Sequence, residues 1–131
     1  MYLVSDVHQP LHCADNDDQR GSDVSVVFYN DRTDLHKVWD HNIVEKTLKD
    51  RKLSESVYAQ ELNKSIDLSA QYGTPIQWAE ESHKLAIYHA YNLPPDNYLG
   101  DKYYAENNPI VEDQMKKAGI RLARILNETL R

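Results

Sequence analysis

The hydrophobic pattern in the first third of the chain predicts the end of a helix, a loop and one strand. Apolar side chains recur over residues 1–9, and Pro10 is expected to end or kink that helix. Residues 13–23 are polar and predict a loop. The β-branched and aromatic run 24–29 favours a strand, and Asn30-Asp31 signals a turn after it.

Beyond that turn, apolar residues recur at helical spacing, and capping residues divide them into segments. The predicted helices are 35–49 capped by Asp34, 55–70 capped by Ser54 and closed by Gly73, 76–91 opened by Thr74-Pro75 and stopped by Leu93-Pro94-Pro95, 96–107 started by Asp96, and 110–130 opened by Pro109. The fold class predicted is therefore mainly α, with at most a short strand or hairpin. A length of 131 residues predicts a single domain, 1–131.

The net charge of −6 argues against a basic nucleic-acid-binding protein, which would carry a lysine and arginine stripe. If this chain binds nucleic acid, bound metal must supply the positive charge. One cysteine, Cys13, excludes an internal disulfide. The chain shows neither a membrane-spanning run nor a signal peptide, so no membrane is predicted as a partner and the compartment stays open.

Metal ligands are suggested by the spacing of histidines and carboxylates. His36 and Asp40 are four residues apart, so a helix places them on one face, where both can bind one ion. Asp6 and His12 lie on either side of Pro10 and complete a set of nitrogen and oxygen donors that suits zinc. On spacing alone, a surface histidine with a salt bridge is the better explanation of the His36 pair.

Two segments together are more specific than either ligand pair. DVHQPLH (6–12) and DLHKVWD (34–40) resemble the signatures of the S1/P1 nuclease family, and the closing segments WAEESHKLAIYHAYNLPP, LGDKYYAENNPIVEDQ and KKAGIRLARILNETL resemble that family's last helices. The resemblance covers essentially the whole chain and corresponds to the C-terminal half of such enzymes. It implies the helical fold shared by zinc-dependent phospholipase C and these nucleases.

The resemblance also implies a function and a metal site. Family members are zinc-dependent endonucleases and 3′-nucleotidases that hydrolyse phosphodiester bonds of single-stranded DNA or RNA, hold three zincs, and are typically secreted or periplasmic. Carried over by position, His12, His36 and Asp40 bind one zinc, and Asp6 bridges the other two. Gly21 and Ser22 fall in the loop that contacts substrate, where the family pattern is Gly-Gly-Asn.

Departures from the family pattern bear on activity. Tyr2 stands where the family has a zinc-binding histidine, and Ser22 replaces the loop asparagine. The remaining family ligands come from an N-terminal half, so a homo-oligomer or that missing half would have to complete the other two zinc sites. The resemblance therefore implies one well-formed zinc site and weak or no activity in this chain alone.

The remaining candidate residues favour packing or surface roles. His8 is expected beside the metal site or at the surface rather than as a ligand, and His41 is expected to face solvent. Packing or surface roles are likewise expected for His83 and His89, and core positions for Trp39 and Trp78. Helix packing is favoured over base stacking for Tyr98, Tyr103 and Tyr104. Cys13 is expected to be a small buried residue rather than a spare zinc ligand.

Three other readings remain open from the sequence. A zinc phospholipase C-like hydrolase would show an apolar rim around the metals. A non-catalytic zinc-binding remnant or interaction module is favoured by the Tyr2 and Ser22 changes. A helical domain without metal predicts that His36→Ala leaves stability nearly unchanged.

Overall fold

The computed structural model describes residues 2–130, with side chains from Val4 to Leu130. It is 66% helical, which confirms the mainly α prediction. None of the helices in this range is long and apolar enough to cross a membrane. The elements in order are α1 (Tyr2–His8), a 3-10 turn (Pro10–Cys13), β1 (Ser25–Phe28), β2 (Asp31–Asp34), α2 (Leu35–Lys37), a π-turn (Val38–Asn42), α3 (Ile43–Arg51), α4 (Glu55–Asn63), a second 3-10 turn (Leu68–Gln71), α5 (Pro75–Leu85), a second π-turn (Ala86–Ala90), β3 (Tyr98–Leu99) and α6 (Asp101–Thr129).

A small sheet has the strand order β2-β1-β3, and Val26, Phe28 and Leu99 of its strands belong to the hydrophobic core. β1 pairs antiparallel with β2 around a two-residue turn at Tyr29 and Asn30, where Tyr29 is left-handed with φ 56°. The predicted strand over 24–29 is confirmed to within one residue at each end, but the turn predicted at Asn30-Asp31 begins one residue earlier, because Asp31 already pairs with Phe28 in β2. β3 pairs parallel with β1 and was not predicted, because two residues are too few to show an alternating pattern.

The predicted N-caps are confirmed. The side chains of Asp34, Ser54 and Thr74 each accept a hydrogen bond from the backbone N–H three residues further on. Thr74 also forms a capping box with Gln77, and Pro75 occupies the first turn of α5. These caps fix where the helices begin, and Asp34 in particular fixes the start of the helix that carries His36.

The predicted helix over 55–70 is too long, because α4 ends at Asn63. Only Tyr58 of α4 is buried, and Leu68 is 66% exposed, so no packing face extends the helix. Asp67 instead accepts from the backbone N–H of Ser69 and starts the second 3-10 turn. Gly73, expected to close the helix, lies against Trp78 with φ 104°.

The predicted boundary at Pro109 is also wrong. Residues 96–100 form a turn and β3, and α6 then runs unbroken through Pro109 to Thr129. Proline removes one helical N–H and leaves the carbonyl four residues earlier, that of Ala105, without its partner. Both residues are exposed, so water can replace the missing hydrogen bond.

The core joins the sheet, both π-turns and α6, and it holds the site-bearing helix in place. Trp39 is 3% exposed, and its Nε1 donates to the hydroxyl of Tyr103 at 2.9 Å. That hydroxyl donates in turn to the carbonyl of Ala90 at 2.8 Å. The packing roles predicted for Trp39 and Tyr103 are confirmed. Core residues at 0% exposure are Leu11, Leu35, Val38, Ile43, Ala86, Ala90 and Leu99.

Candidate metal site

His12 is carried by the 3-10 turn that follows α1. Pro10 occupies the first turn, and Gln9 caps it by accepting from the backbone N–H of Leu11. Pro10 and Leu11 are both buried, so the turn is anchored in the core beneath it. His12 is therefore presented from a fixed backbone, with its ring half-buried.

His36 and Asp40 lie one helical turn apart, as their spacing predicted. Leu35 at 0% exposure anchors the start of this helix, and Asp40 lies in the π-turn that follows α2. The Nε2 of His36 is 2.9 Å from Oδ2 of Asp40. Single π-turns inside helices occur frequently at functional sites, and no pattern in the sequence indicated this one.

The three predicted ligands of a single ion converge. The Nε2 of His12 is 3.1 Å from Oδ1 of Asp40, and the two imidazole rings stack with centroids 4.9 Å apart. One ligand atom from each of His12, His36 and Asp40 lies within 4.8 Å of the others. Their side chains are 21–26% exposed, so the cluster is partly accessible to solvent.

The neighbouring loop fixes which nitrogen His36 presents. The Nδ1 of His36 is 2.9 Å from the carbonyl of Arg20, and because a carbonyl only accepts, Nδ1 carries the proton and Nε2 is free to bind a metal. Arg20 is left-handed with φ 59°. Asp18 holds the loop by accepting from Gly21 N–H and from the Tyr91 hydroxyl, both at 2.9 Å.

Gln9 positions the carboxylate. Its Nε2 donates to Oδ1 of Asp40 at 2.8 Å. Burial alone would raise the pKa of Asp40, but the hydrogen bond from Gln9 and the electrostatic influence of the neighbouring His36 and His12 imidazoles outweigh it, so the pKa is lowered. Asp40 is thus held as a carboxylate, the form that binds metals.

The donor set fits zinc. Two imidazole nitrogens and one carboxylate oxygen are ligand types that zinc prefers, and three protein ligands with one open side are typical of catalytic zinc sites. The fixed tautomer of His36 and the oriented Asp40 are the supporting contacts that metal-binding residues usually have. His12, His36 and Asp40 are therefore the residues that would hold the ion.

Asp6 is not part of this cluster. Its Oδ1 lies 3.8 Å from Nδ1 of His12, on the side of the ring away from Asp40, and its side chain is 57% exposed. The ligand atoms that lie within 4.8 Å of one another are those of His12, His36 and Asp40 alone among the described residues, and the wider set that includes Asp6 stays a prediction. The bridging role that the resemblance gives Asp6 stays a prediction. The Tyr2 side chain lies outside the described residues.

Gly21 and Ser22 lie beside the site in different ways. Gly21 is buried with φ 89°, and a Cβ there would lie 3.2 Å from the backbone nitrogen of His36 and from Leu11. Gly21 thus permits the loop to pass close to the start of α2. Ser22 is exposed and lines a polar cavity together with Arg32 and Lys37. Substrate binding by Gly21 and Ser22 remains a prediction.

The other histidines lie outside the triad. His8 is only 3% exposed, so the surface role considered for it is wrong. Its Nε2 lies 2.8 Å from a donor nitrogen of Arg121 and its ring packs on Trp78. His41 is exposed, as predicted. His83 bonds through Nδ1 to the carbonyl of Cys13 at 2.8 Å.

Sequence reasoning missed the residues that support the ligands. Gln9 lies inside the DVHQPLH signature, and its place as a polar residue within that signature is the one sequence feature that pointed to it. The contribution of Arg20 is a backbone carbonyl, which no side-chain pattern can reveal. Asp18 is one of several acidic residues in its loop and is not distinguished by the sequence.

Comparison with known proteins identifies the family of this chain. The family model described as S1/P1 Nuclease matches residues 1–131. The chain belongs to the S1/P1 nuclease family, as the two signatures indicated.

Three curated relatives illustrate the match. "Endonuclease 4" of Arabidopsis thaliana is 36% identical over 96% of this chain and 47% of its own length. "Endonuclease 3" of the same plant is 34% identical over 96% of this chain and 48% of its own length. "Nuclease S1" of Aspergillus oryzae (strain ATCC 42149 / RIB 40) is 27% identical over 97% of this chain and 51% of its own length. The chain spans about half the length of the curated relatives it matches.

Proposed function

We propose that this chain forms part of a zinc-dependent nuclease that hydrolyses phosphodiester bonds in single-stranded DNA or RNA. The observation that carries the proposal is that one ligand atom from each of His12, His36 and Asp40 lies within 4.8 Å of the others. Membership of a nuclease family and relatives named as endonucleases support the reaction class. Zinc as the metal follows from the donor types, and the preference for single strands rests on the family resemblance.

The residues of this chain hold and orient the reacting partners. His12 and His36 supply imidazole nitrogens, and Asp40 supplies a carboxylate that Gln9 keeps in position. A zinc ion bound there would supply Lewis-acid polarisation and positive charge next to a phosphate. The three side chains are partly exposed, so a phosphodiester can reach the cluster from solvent.

Charge makes the metal necessary for binding as well. The chain has 21 acidic and 15 basic residues, so its overall field repels a polyanion. Polynucleotide affinity is therefore expected to depend on bound zinc, and the natural partners are single-stranded DNA or RNA and nucleotides.

The test compares zinc-loaded and chelator-treated chain on a 5′-labelled single-stranded DNA and on the same DNA as a duplex. Binding is measured by fluorescence anisotropy and cleavage by gel electrophoresis. The proposal predicts zinc-dependent binding and slow cleavage of the single strand, both lost in His36→Ala. His41→Ala is the matched control, because His41 is exposed on the same helix and outside the triad.

Two outcomes would contradict the proposal. Zinc binding without any zinc-dependent binding or cleavage of the oligonucleotide would favour a zinc-binding interaction module instead. Equal cleavage of duplex and single strand would overturn the single-strand preference.

A further inference from the structure

A polar cavity lies between the small sheet and the start of α2. Its volume is about 540 Å³. Two cations, two carboxylates and two hydroxyls are among the side chains that line it: Arg32, Lys37, Asp34, Asp96, Ser22 and Ser25. The metal site described above uses neither of the two cations.

The strand register places Arg32 on the solvent face of the sheet. Val26 and Phe28 of β1 are buried, so Val27 between them points to the opposite face. Arg32 of β2 lies directly opposite Val27 in the antiparallel pair, and directly opposite residues share a face. Arg32 is accordingly exposed, and it stands at the wall of the cavity.

Lys37 and Ser22 connect the cavity to the metal site. Lys37 directly follows His36 on α2, and at 3.6 residues per turn its side chain points about 100° away around the helix. Ser22 directly follows Gly21, whose carbonyl accepts from the backbone N–H of His36 at 3.4 Å. The cavity and the metal cluster are therefore neighbouring sites carried by the same helical turn and the same loop.

The carboxylates of the cavity already have partners, whereas Arg32 does not. Oδ1 of Asp34 accepts from the backbone N–H of Lys37 at 2.9 Å, and Oδ2 lies 3.8 Å from Nζ of Lys37. Oδ1 of Asp96 accepts from the backbone N–H of Tyr98 at 3.0 Å. The ion pairs formed between described residues do not include Arg32. Its planar guanidinium is available for a bidentate contact with a phosphate.

We propose that Arg32, with Lys37 beside it, binds the phosphate next to the one at the metal site, so that the cavity is a second phosphate subsite for a nucleic-acid strand. This role of Arg32 rests on the nuclease function proposed above. In a chain with a net charge of −6, a polyanion is held only where local cations meet its phosphates. A mononucleotide has no flanking phosphate, so the subsite favours an internal bond of a strand over a mononucleotide substrate.

The test measures binding of fluorescein-labelled hexathymidylate to the zinc-loaded chain by anisotropy, over a range of salt concentrations. Wild type is compared with Arg32→Gln and with the matched control Lys64→Gln, because Lys64 is exposed and outside the cavity. A second set of hexamers carries one neutral methylphosphonate, placed at each linkage in turn. Zinc content and thermal melts of both variants show that the metal site and the fold are intact.

We expect Arg32→Gln to weaken binding at least about threefold and Lys64→Gln to leave it unchanged. The slope of log affinity against log salt should fall by about 0.7 in Arg32→Gln, the value for one contact with a single-strand phosphate. One methylphosphonate position should abolish the difference between wild type and Arg32→Gln, because the same contact is then already lost.

Three results would overturn the subsite, and they differ in what else they overturn. Zinc-dependent binding that is equal in wild type and Arg32→Gln would remove the subsite and leave the nuclease proposal standing. An equal loss of affinity for thymidine 5′-monophosphate in Arg32→Gln would assign Arg32 to the phosphate at the metal instead. Absence of zinc-dependent binding in the wild type would overturn the nuclease proposal and the subsite together.

Discussion

Gln9 offers a test of how the carboxylate ligand is held. Its Nε2 donates to Oδ1 of Asp40, and Gln9→Met keeps the length of the side chain while removing this donor and the oxygen that caps the turn carrying His12. A hydrogen bond to a charged group contributes about 1.5–3 kcal/mol. Since about 1.4 kcal/mol is a factor of ten, we expect zinc affinity to fall roughly 10- to 100-fold, the range seen when residues supporting metal ligands are lost.

The assay is a competition titration with a zinc-chelating dye, run on purified chain at neutral pH. Gln60→Met on exposed α4 is the matched control and should leave the affinity unchanged. Urea unfolding of the metal-free proteins separates loss of affinity from loss of fold. An unchanged zinc affinity in Gln9→Met would refute the reasoning, because Asp40 would then be positioned without Gln9.

Three further predictions concern stability. Arg121 is 5% exposed and donates to His8, the Ala70 carbonyl and Glu81, so Arg121→Met should lower the free energy of unfolding by about 3 kcal/mol in urea titrations; a loss below about 1 kcal/mol would contradict this. Burial raises the pKa of Glu81, but hydrogen bonds and charges from Lys117 and Arg121 lower it overall. The stability that Glu81 adds over Glu81→Gln should therefore be present above pH 4.5, its ordinary pKa, and shrink as the pH falls below it; a difference independent of pH would contradict this. Gly21→Ala should lower the unfolding midpoint and the zinc affinity together, because φ is 89° and the added Cβ crowds His36; an unchanged midpoint in thermal melts would contradict it.

The sequence predicted the parts of the fold that local interactions determine. Asp34, Ser54 and Thr74 cap helices where expected, because capping needs only a side-chain oxygen and the next turn of backbone. Pro109 misled, since a proline can open a helix or sit within one, and the choice depends on whether the freed carbonyl reaches water. β3 depends on pairing with β1, seventy residues away in the chain, and leaves no local pattern.

In the candidate site, too, the local contacts could be predicted from the sequence, whereas the contacts that depend on tertiary structure could not. His36 and Asp40 could be paired from spacing on one helix, and His12 joined them through the family signature. The position of Asp6 beyond the far nitrogen of His12 depends on how α1 meets the 3-10 turn, which spacing does not specify. The Arg20 carbonyl depends on left-handed backbone in a polar loop, which side-chain types did not reveal.

The most direct test of the account is zinc content per chain after gentle purification, measured by elemental analysis for the wild type, His36→Ala and His41→Ala. We expect about one zinc in the wild type and in His41→Ala, and almost none in His36→Ala, because His36 belongs to the triad and His41 does not. Zinc retained by His36→Ala, or lost equally from both variants, would contradict a metal site built from His12, His36 and Asp40.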